Sequence, residues 1–367
     1  MNLDKSYLRS SIFKNSNVLI TGGTGSIGLE ITKALLYFKP KQIRLFSNDE
    51  NGLFEAKTIF NKYPEVTYVF GDVRDVQSIE NAIKDCDIIF HAAALKHVPF
   101  CEDNPYEAIS TNVLGTQNMI SSAIRYNIQK FVFISTDKAV NPISVLGATK
   151  LLGERLVMRA SKLVSKPVFS IVRFGNVLGS RGSVISIFEK QVKEGTEITV
   201  TDPNMTRFIM LPYDAARLVL YATELAKPGE IFILKMKAVK IGDLAEASKE
   251  FFAKLYHKNQ YNIKIKIIGS RPGEKIHEEL MTETEASSSI ETEYFYIVNP
   301  HPERIKSSKS LIRPSLHMRT YISSNAPLVS KQDIISLLSQ LYYFNVKKCR
   351  RTRNFTLESH KRLINRK

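Results

Sequence analysis

The chain has 367 residues, of which 43% are hydrophobic and 24% are charged, a composition typical of a soluble globular protein with a sizeable core. It contains no apolar run of about 18 residues, so we expect no membrane span, and its first residues lack the apolar stretch of a secretory signal. The three cysteines, Cys86, Cys101 and Cys349, have neither metal-ligand nor CxxC spacing. These features favour a reduced, cytoplasmic compartment.

The net charge of +16 is concentrated at the C-terminus, where residues 347–367 contain nine Lys or Arg residues and one acidic residue, Glu358. Such a tail can attach to an acidic surface such as lipid headgroups or nucleic acid, or it can be a solvated, flexible segment. We favour the solvated tail with at most a weak contact to an acidic surface, and we expect no nucleic-acid partner.

The first half of the chain alternates short apolar runs with amphipathic segments, as repeated βα units do. The apolar runs predict buried parallel strands at NVLIT, QIRLFS, TYVFGD, DIIFHAA, KFVFIST and PVFSIVRF. Helices are predicted from Ser26 to Tyr37 and through LFEAKTIF, AISTNVLGTQNMISSAI and SVLGATKLLGERLVMRA. The pattern predicts the α/β class, with a doubly wound parallel sheet.

A glycine-rich turn, LITGGTGSIG, lies between the first predicted strand and the first predicted helix. Its Gly22, Gly25 and Gly28 let the backbone turn tightly and approach a pyrophosphate, whose charge the helix N-terminus stabilises. Glycines alone would indicate only a tight turn. Their position after a strand and before a helix predicts a dinucleotide-binding site.

After about Phe174 the pattern becomes less regular, with glycine-rich turns and the helical segments PYDAARLVLYATEL, IGDLAEASKEFFAKLY and SKQDIISLLSQLYYF. We assign residues 13–175 to an NAD(P)-binding Rossmann core to which later segments return. Residues 176–344 are assigned mainly to a smaller, partly interleaved α/β substrate-binding region, and residues 345–367 to the basic tail.

The residues after the second strand bear on which dinucleotide is bound. An acidic residue there holds the adenosine ribose of NAD, whereas a nearby arginine favours the 2′-phosphate of NADP. The stretch FSNDE supplies Asn48 and Asp49, with Arg44 inside the strand, so NADP and NAD both stay open and NADP is slightly favoured. After the third strand, Asp72 of GDVRD can bind an adenine amino group, or Asp72 or Asp75 can cap the next helix.

Several motifs occur in a fixed order along the chain: TGGTGSIG, GDVRD, HAAALKHVP, EDNPYEAISTNVLGTQN, STDKAVNP, GATK, RFGNVLGSRGSV, TRFIM and RPGEKIHEEL. Together they resemble the extended short-chain dehydrogenases of polysaccharide biosynthesis. Within that group the resemblance is to the UDP-N-acetylglucosamine 4,6-dehydratases and related capsular nucleotide-sugar enzymes. It covers about residues 13–344, and STDKAVNP and RPGEKIHEEL are its most specific motifs.

The resemblance implies an NAD(P) cofactor that stays bound and is recycled, a UDP-sugar substrate and a homo-oligomer. Because the resembling region begins close to Met1, we expect the form without the transmembrane helices that precede this domain in some relatives. The cofactor is expected to contact Thr21, Gly22, Gly25, Ser26, Ile27, Gly28, Asn48, Asp49, Asp72, Val73, Ala92, Ala93, Ala94, Lys96 and Lys150.

The chemistry of a 4,6-dehydratase needs a base for the C4 hydroxyl, a base for the C5 proton and an acid for the C6 oxygen, while the nicotinamide stores the C4 hydride. Asp137 and Lys138 of STDKAVNP follow a predicted strand, at the edge where this fold places its active site. Alone, such a pair is more often an exposed ion pair or a helix cap. The resemblance makes Asp137 the acid at C6 and Lys138 the base at C5.

Leu146 takes the place where many related enzymes have a tyrosine that acts as the C4 base, four residues before Lys150. In that arrangement the lysine lowers the tyrosine pKa and holds the nicotinamide ribose. Some members of the resembling family carry methionine there and are enzymes. We therefore assign the C4 base to Lys138 first and to Asp137 second, with a hydroxyl relay from Thr136 or Ser135.

Substrate contacts are predicted from side chains inside the matched motifs. Arginine suits a diphosphate because its planar fork donates two parallel hydrogen bonds. The predicted contacts are Lys96, His97, Asn176, Arg181, Ser183, Arg207, Arg271 and Glu274, with Glu102 and Asn112 as weaker candidates. His97 can equally be a satisfied loop histidine. No metal site is predicted, because His277 of HEEL lacks the second histidine of a zinc motif.

Three functions are compatible with these residues. A 4,6-dehydratase acting on UDP-N-acetylglucosamine, which gives a UDP-4-keto-6-deoxy sugar for surface polysaccharide or glycan synthesis, is favoured by Asp137 and Lys138. A UDP-sugar 4-epimerase would return the hydride to C4 on the opposite face and needs no C5 base. A non-catalytic NAD(P)-binding protein would fit Leu146 but not the intact acid/base pair.

Overall fold

The computed structural model describes residues 12–299, 301, 313–314 and 320–349. The strands in this part of the chain are β1 (Asn17–Thr21), β2 (Gln42–Ser47), β3 (Val66–Phe70), β4 (Ile88–His91), β5 (Lys130–Thr136), β6 (Val168–Phe174), β7 (Asn176–Val177), β8 (Ile198–Val200), β9 (Thr206–Met210), β10 (Ile231–Leu234), β11 (Lys237–Lys240), β12 (Ile265–Ile267), β13 (Glu279–Met281), β14 (Ser289–Glu291), β15 (Phe295–Val298), β16 (Arg313–Pro314) and β17 (Tyr321–Ile322).

The helices are α1 (Ser26–Leu35), α2 (Glu50–Ile59), α3 (Val76–Ile83), α4 (Val98–Asp103), α5 (Pro105–Ile109), α6 (Gly115–Arg125), α7 (Val145–Leu163), α8 (Val184–Glu194), α9 (Pro212–Leu225), α10 (Ile241–Leu255), α11 (Glu283–Ser287) and α12 (Lys331–Cys349). A π-helical turn, Ser110–Leu114, joins α5 to α6. Short 3₁₀ turns occur at Leu36–Phe38, Asp137–Ala139 and Gln260–Asn262. The predicted helix from Ser26 to Tyr37 is therefore an α-helix that tightens in its last turn.

One ten-stranded sheet forms the centre of the fold, in the order β16-β14-β15-β10-β6-β5-β4-β1-β2-β3. The strands from β3 through β10 in this order are parallel to one another, and β15, β14 and β16 pair antiparallel at the other end. The order 3-2-1-4-5-6 within it is that of a doubly wound dinucleotide-binding sheet. The predicted α/β class and doubly wound sheet are confirmed.

Two buried cores support the fold. The larger packs the central strands against α1, α3, α6, α7 and α9, and the smaller packs α8 against α10 and α12. The later strands β10, β14 and β15 lie in the same sheet as the first six strands, so the second half of the chain returns to the first. Three small sheets, β11-β9-β7, β12-β8 and β13-β17, lie beside the large one.

The C-terminal region is described only in part. Residues 345–349 belong to α12, and residues 350–367 of the predicted basic tail lie outside the described residues. Among the helices that the structure describes, none combines the length and the apolar character needed to cross a membrane.

Candidate active site

A cleft of about 700 Å³ opens at the carboxyl ends of the central parallel strands. In a doubly wound sheet this is the edge where ligands bind, at the point where the strand order reverses between β1 and β4. Most of the predicted site residues lie in its wall: Gly22, Gly25, Ser26, Ile27, Gly28, Asn48, Asp49, Asp72, Val73, Ala92, Ala93, Ala94, Lys96, His97, Thr136, Lys138, Lys150, Asn176, Ser183 and Arg207.

The glycine turn after β1 brings its backbone close to the end of β4. Gly22 has a φ of +62°, and a Cβ placed there would lie 2.8 Å from Ala93 N, so only glycine fits. At Gly28 a Cβ would lie 2.7 Å from Gly22 O. The helix α1 that follows has Gly25 as its N-cap, with no side-chain cap, which leaves its first amide groups for a ligand. This geometry fits the pyrophosphate of a dinucleotide.

Thr21 supports this turn from beneath. Its side chain is fully buried, and its Oγ1 lies 2.7 Å from His91 Nδ1 and accepts a hydrogen bond from Ala93 N at 3.2 Å. Burial lowers the pKa of His91 to about 3, so the ring is neutral at physiological pH. Thr21 therefore ties β1 to β4, and it does not line the cleft.

The acidic residues after β2 and β3 have distinct partners. Asp49 caps α2 by accepting from Gly52 N at 2.9 Å, and Asp75 caps α3 by accepting from Gln77 N and Ser78 N. Asp72 caps no helix and stays at the cleft. Burial alone would raise the pKa of Asp72, but hydrogen bonds from Arg74 and Asn48 outweigh it and hold that pKa below its ordinary value.

The acid/base pair lies where β5 ends. Lys138 Nζ is 3.0 Å from Asp137 Oδ1, which also accepts a hydrogen bond from Thr136 Oγ1 at 2.8 Å. Asp137 is fully buried, whereas the Lys138 side chain is 25% exposed and lines the cleft. Burial alone would lower the pKa of Lys138, but the carboxylates of Asp137 and Glu278 outweigh it and raise that pKa. In the free protein Lys138 is therefore an ammonium.

Leu146 and Lys150 lie one helical turn apart at the start of α7. Leu146 is 3% exposed and packs in a small apolar cluster with Cys101 and Ala108. Lys150 Nζ donates to Ile134 O at 2.6 Å, and burial lowers the pKa of Lys150 to about 7. The position that holds a tyrosine in many related enzymes is thus occupied by a buried apolar side chain at the wall of the cleft.

Arg181 lies on the loop between β7 and α8, which crosses the mouth of the cleft. Its guanidinium pairs with Asp49 at 3.3 Å and with Glu55 at 2.6 Å, both on the cofactor side of the cleft. Its backbone N–H donates to Ser26 Oγ at 3.0 Å, and its carbonyl accepts from Lys96 Nζ at 2.7 Å. Arg181, which was predicted to bind the diphosphate, therefore holds the loop closed over the glycine turn. It is not part of the cleft wall.

Arg207 and Ser183 lie in the cleft wall on the substrate side. Arg207 is 8% exposed and donates to the carbonyls of Thr206 and Ile276. Ser183 precedes α8, and its Oγ is buried without a hydrogen-bond partner among the described residues. A hydroxyl without a partner beside a helix N-terminus fits an anionic group such as phosphate.

Arg271 and Glu274 are not brought into the cleft. They form a turn in which Arg271 N donates to Glu274 Oε2 at 3.3 Å, and the Arg271 side chain is exposed. The weaker candidates have structural partners: Glu102 accepts from Val145 N, and Asn112 bonds the backbone of Leu95. His97 packs against Gly182 of the loop that carries Arg181.

Two sets of charged residues near the site were not predicted from the sequence. Glu278 lies 3.3 Å from Lys138 Nζ, and its only sequence signal was its place in RPGEKIHEEL. Arg173 forms a buried network with Glu154 and Glu285 behind the end of β5. No local pattern indicates either contact, because the partners come from distant parts of the chain.

The glycine turn, the strand order and the cleft define a Rossmann-fold dinucleotide-binding protein. A profile of the family described as "Polysaccharide biosynthesis protein" matches residues 18–300. The chain belongs to this family, which confirms the resemblance found in its motifs.

Three relatives with curated descriptions show the range of the family. A Methanocaldococcus jannaschii protein described as an uncharacterized membrane protein is 48% identical over 336 residues, covering 91% of this chain and 98% of the relative. An inverting UDP-N-acetylglucosamine 4,6-dehydratase of Campylobacter jejuni is 38% identical over 341 residues, covering 89% and 98%. A UDP-glucose 4-epimerase of Rickettsia akari is also 38% identical over 341 residues, covering 90% and 98%.

Solved structures have the same fold. The X-ray structure of Pen from Bacillus thuringiensis is 42% identical, has a TM-score of 0.81, and covers 89% of this chain and 98% of that one. A dTDP-glucose 4,6-dehydratase of Streptomyces venezuelae with NAD bound has a TM-score of 0.64 at 20% identity, covering 71% and 86%. At that identity the second likeness shows the fold alone.

Proposed function

We propose that this protein is a nucleotide-sugar 4,6-dehydratase that acts on UDP-N-acetylglucosamine and forms a UDP-4-keto-6-deoxy sugar. One observation carries the proposal: Lys138 Nζ lies 3.0 Å from Asp137 Oδ1 in a dinucleotide-type cleft whose tyrosine position holds Leu146. Leu146 weakens the dehydratase and the epimerase alike, but an epimerase needs no base at C5, so the intact acid/base pair favours dehydration. The similarity to the Campylobacter jejuni dehydratase supports the same activity.

The nicotinamide cofactor, when bound, accepts the C4 hydrogen as hydride and returns it to C6. We infer that the residues of the glycine turn and α1 hold its pyrophosphate, and that Lys150, which lines the cleft, holds the nicotinamide ribose. We favour NADP over NAD because the carboxylate of Asp49 is engaged by α2 and by Arg181. An arginine at this position favours a 2′-phosphate. Direct titration with both cofactors tests the choice, and tighter binding of NAD would contradict it.

The proton steps fall to Lys138 and Asp137. Lys138 starts as the ammonium, so it takes the C4 hydroxyl proton as it hands its own proton to Asp137 Oδ1, its neighbour at 3.0 Å. The protonated Asp137 donates to the departing C6 oxygen, releases water and accepts the ammonium proton of Lys138, and the free amine of Lys138 then removes the C5 proton. Lys138 finally gives this proton back to C5 and regains one from Asp137, so that the ammonium and the carboxylate are both restored. Thr136 orients the Asp137 carboxylate through its 2.8 Å hydrogen bond.

The UDP group is expected on the side of the cleft formed by Asn176, Ser183 and Arg207. Lys96 and His97 also line the cleft, and we expect them near the sugar. Arg271 and Glu274 can join the diphosphate only if their turn moves toward the cleft, so their contact with substrate stays a prediction.

Mass spectrometry of the nucleotide sugar after incubation with UDP-N-acetylglucosamine and NADP or NAD tests the proposal. A product lighter by one water establishes dehydration. An unchanged mass with altered chromatographic mobility would instead establish the 4-epimerase, the second candidate, which the Rickettsia akari relative supports at equal identity.

A Lys138→Ala variant should lose about 10²–10⁴-fold in turnover, the usual contribution of a general base. Turnover at the unsubstituted rate would contradict the assignment of Lys138.

We also retain the predicted homo-oligomer and the cytoplasmic location. Tyr106, Leu114 and Leu152 are 76%, 54% and 50% exposed on α5, the π-helical turn and α7, which are in contact with one another. Exposed apolar side chains on adjoining helices fit a second copy of the chain. Light scattering of the purified protein tests the oligomer, and a monomer at all concentrations would contradict it.

A further inference from the structure

Glu278 lies immediately before β13 and reaches into the acid/base pair. It is 3% exposed, and its Oε1 is 3.3 Å from Lys138 Nζ and 3.8 Å from Arg207 Nε. Its backbone is fixed on both sides by one residue: Glu278 N donates to Ser323 Oγ at 2.9 Å, and Ser323 N donates to Glu278 O at 2.8 Å. The carboxylate is therefore held in place by β13 and β17 and is not a mobile surface group.

The four charged groups at this place balance one another. The carboxylates of Asp137 and Glu278 face the cations of Lys138 and Arg207, and these four groups come from three different parts of the chain. Asp137 Oδ2 and Glu278 Oε2 are buried without a hydrogen-bond partner among the described residues. Buried carboxylate oxygens are rarely left without a partner in a purely structural ion pair. These two oxygens can therefore still accept hydrogen bonds.

We propose that Glu278 is a positioning residue for the proposed reaction, which holds the Lys138 amine beside Asp137 while Lys138 exchanges protons with the sugar. This inference rests on the proposed function and adds to it a carboxylate that touches neither the sugar nor the cofactor. In the proposed reaction Lys138 and Asp137 move protons, whereas Glu278 and Arg207 do not. Glu278 and Asp137 both contact Lys138 Nζ, so they hold its side chain from two sides at the cleft wall.

The charge of Glu278 also affects the pKa of Lys138. Burial works to lower the Lys138 pKa, whereas Asp137 and then Glu278 raise it, and Arg207 opposes them. Removal of the Glu278 charge therefore lets Lys138 lose its proton at lower pH, because an opposite charge nearby favours the charged form. Loss of the contact also frees the side chain, and misplacement of a reacting group by about 1 Å can cost roughly 10²-fold in rate.

The test compares Glu278→Gln with Glu283→Gln, which removes the same charge from an exposed site on α11. The reactivity of Lys138 toward acetic anhydride is measured by peptide mass spectrometry as a function of pH. In Glu278→Gln the labelling curve of Lys138 should shift to lower pH, whereas in Glu283→Gln it should coincide with the unsubstituted protein. This readout needs no turnover, so it decides the role of Glu278 even if the proposed dehydration fails.

The second readout is water loss from UDP-N-acetylglucosamine. Glu278→Gln should reduce kcat by about ten- to a hundredfold with a smaller change in KM. A Lys138 labelling curve that does not shift, in a variant whose circular dichroism is unchanged, would overturn the proposal. If Glu278→Gln does not fold, Glu278→Asp retains the charge at a longer distance. It should give a smaller shift of the same sign and a smaller fall in kcat, and an unshifted curve there overturns the proposal as well.

Discussion

Arg173 and Glu154 form a bidentate ion pair inside the protein, with Arg173 Nε 2.8 Å from Glu154 Oε1 and Arg173 Nη2 2.7 Å from Glu154 Oε2. The two side chains are 2% and 1% exposed. Ser135 Oγ donates to the same carboxylate at 2.6 Å, and Glu285 holds the other side of the guanidinium. This network connects the end of β5, the helix that carries Lys150 and the segment that follows β13.

Substitution of Glu154 by Gln should destabilise the protein strongly. It leaves Arg173 buried with one carboxylate in place of two, and removal of one partner from a buried ion pair costs about 3–5 kcal/mol. Since Glu285 remains, we expect the lower end, about 3 kcal/mol in the free energy of unfolding, measured by urea denaturation. Glu283→Gln, on the exposed surface of α11, is the control. A Glu154→Gln protein within about 0.5 kcal/mol of the control would show that the pair contributes no net stability.

Introduction of tyrosine at position 146 should not restore a missing base. Leu146 is 3% exposed and packs against Cys101 and Ala108 at the wall of the cleft, so a ring held in this cluster overpacks it at a cost of roughly 1–3 kcal/mol. If Asp137 and Lys138 carry the protons, turnover of Leu146→Tyr should not exceed that of the unsubstituted protein. Leu146→Met, a swap that conserves volume, should cost less than about 1.5 kcal/mol. A tenfold rise in turnover for Leu146→Tyr would instead show that the tyrosine position still serves the reaction.

The fold was largely accessible from the sequence because its central strands are buried on both faces. Such strands consist of continuous apolar runs, and for this reason the predicted bounds of β1, β2 and β5 agree with the structure. The helix predicted over AISTNVLGTQNMISSAI begins earlier as α5 and passes through the π-helical turn Ser110–Leu114, which apolar periodicity does not reveal.

The site could be predicted from the sequence only where the residues that act together are neighbours in the chain. The glycine turn and the Asp137–Lys138 pair are contiguous in sequence, and both lie at the cleft. Glu278 and Glu154 act through partners that only the folded chain brings near, so their roles have no sequence pattern. The same limit applies to Arg181. Its motif predicts that it binds a phosphate, but its partners in the structure are Asp49 and Glu55.

Arg181→Ala should release the cofactor faster with little loss of stability. Its pairs with Asp49 and Glu55 are exposed, and each such pair contributes roughly 0.2–1 kcal/mol. If these pairs close the loop over the glycine turn, their combined loss of about 0.4–2 kcal/mol corresponds to roughly two- to thirtyfold faster dissociation. Stopped-flow displacement of NADPH by excess NADP measures the rate.

Lys190→Ala is the matched control for Arg181→Ala. It removes a cation from α8 whose contact with Glu194 lies away from the cleft. Equal dissociation rates for the two variants would contradict the closing role of Arg181. A faster rate in Arg181→Ala together with an unchanged melting temperature would separate that role from general destabilisation.

Lys150 makes the stability of the cofactor-free protein depend on pH in a particular direction. Burial lowers the pKa of Lys150 from 10.5 to about 7, and its Nζ donates to Ile134 O. Between these two values the unfolded chain binds a proton that the folded chain does not, so the free energy of unfolding rises with pH across this window. Below about pH 7 the cost of burying the ammonium is fully present. Lys150→Met, which removes the charge, should abolish this contribution.

The measurement is urea denaturation of the cofactor-free protein at several pH values from about 7 to about 10, the range set by the two pKa values. The difference in unfolding free energy between Lys150→Met and the unsubstituted protein should be largest at the acidic end and should shrink as the pH rises. Lys162→Met, at an exposed position on the same helix, is the control. A pH-independent difference for Lys150→Met would mean that Lys150 is folded in its charged form. In that case the ammonium, and not the free amine, would meet the cofactor at the start of the reaction.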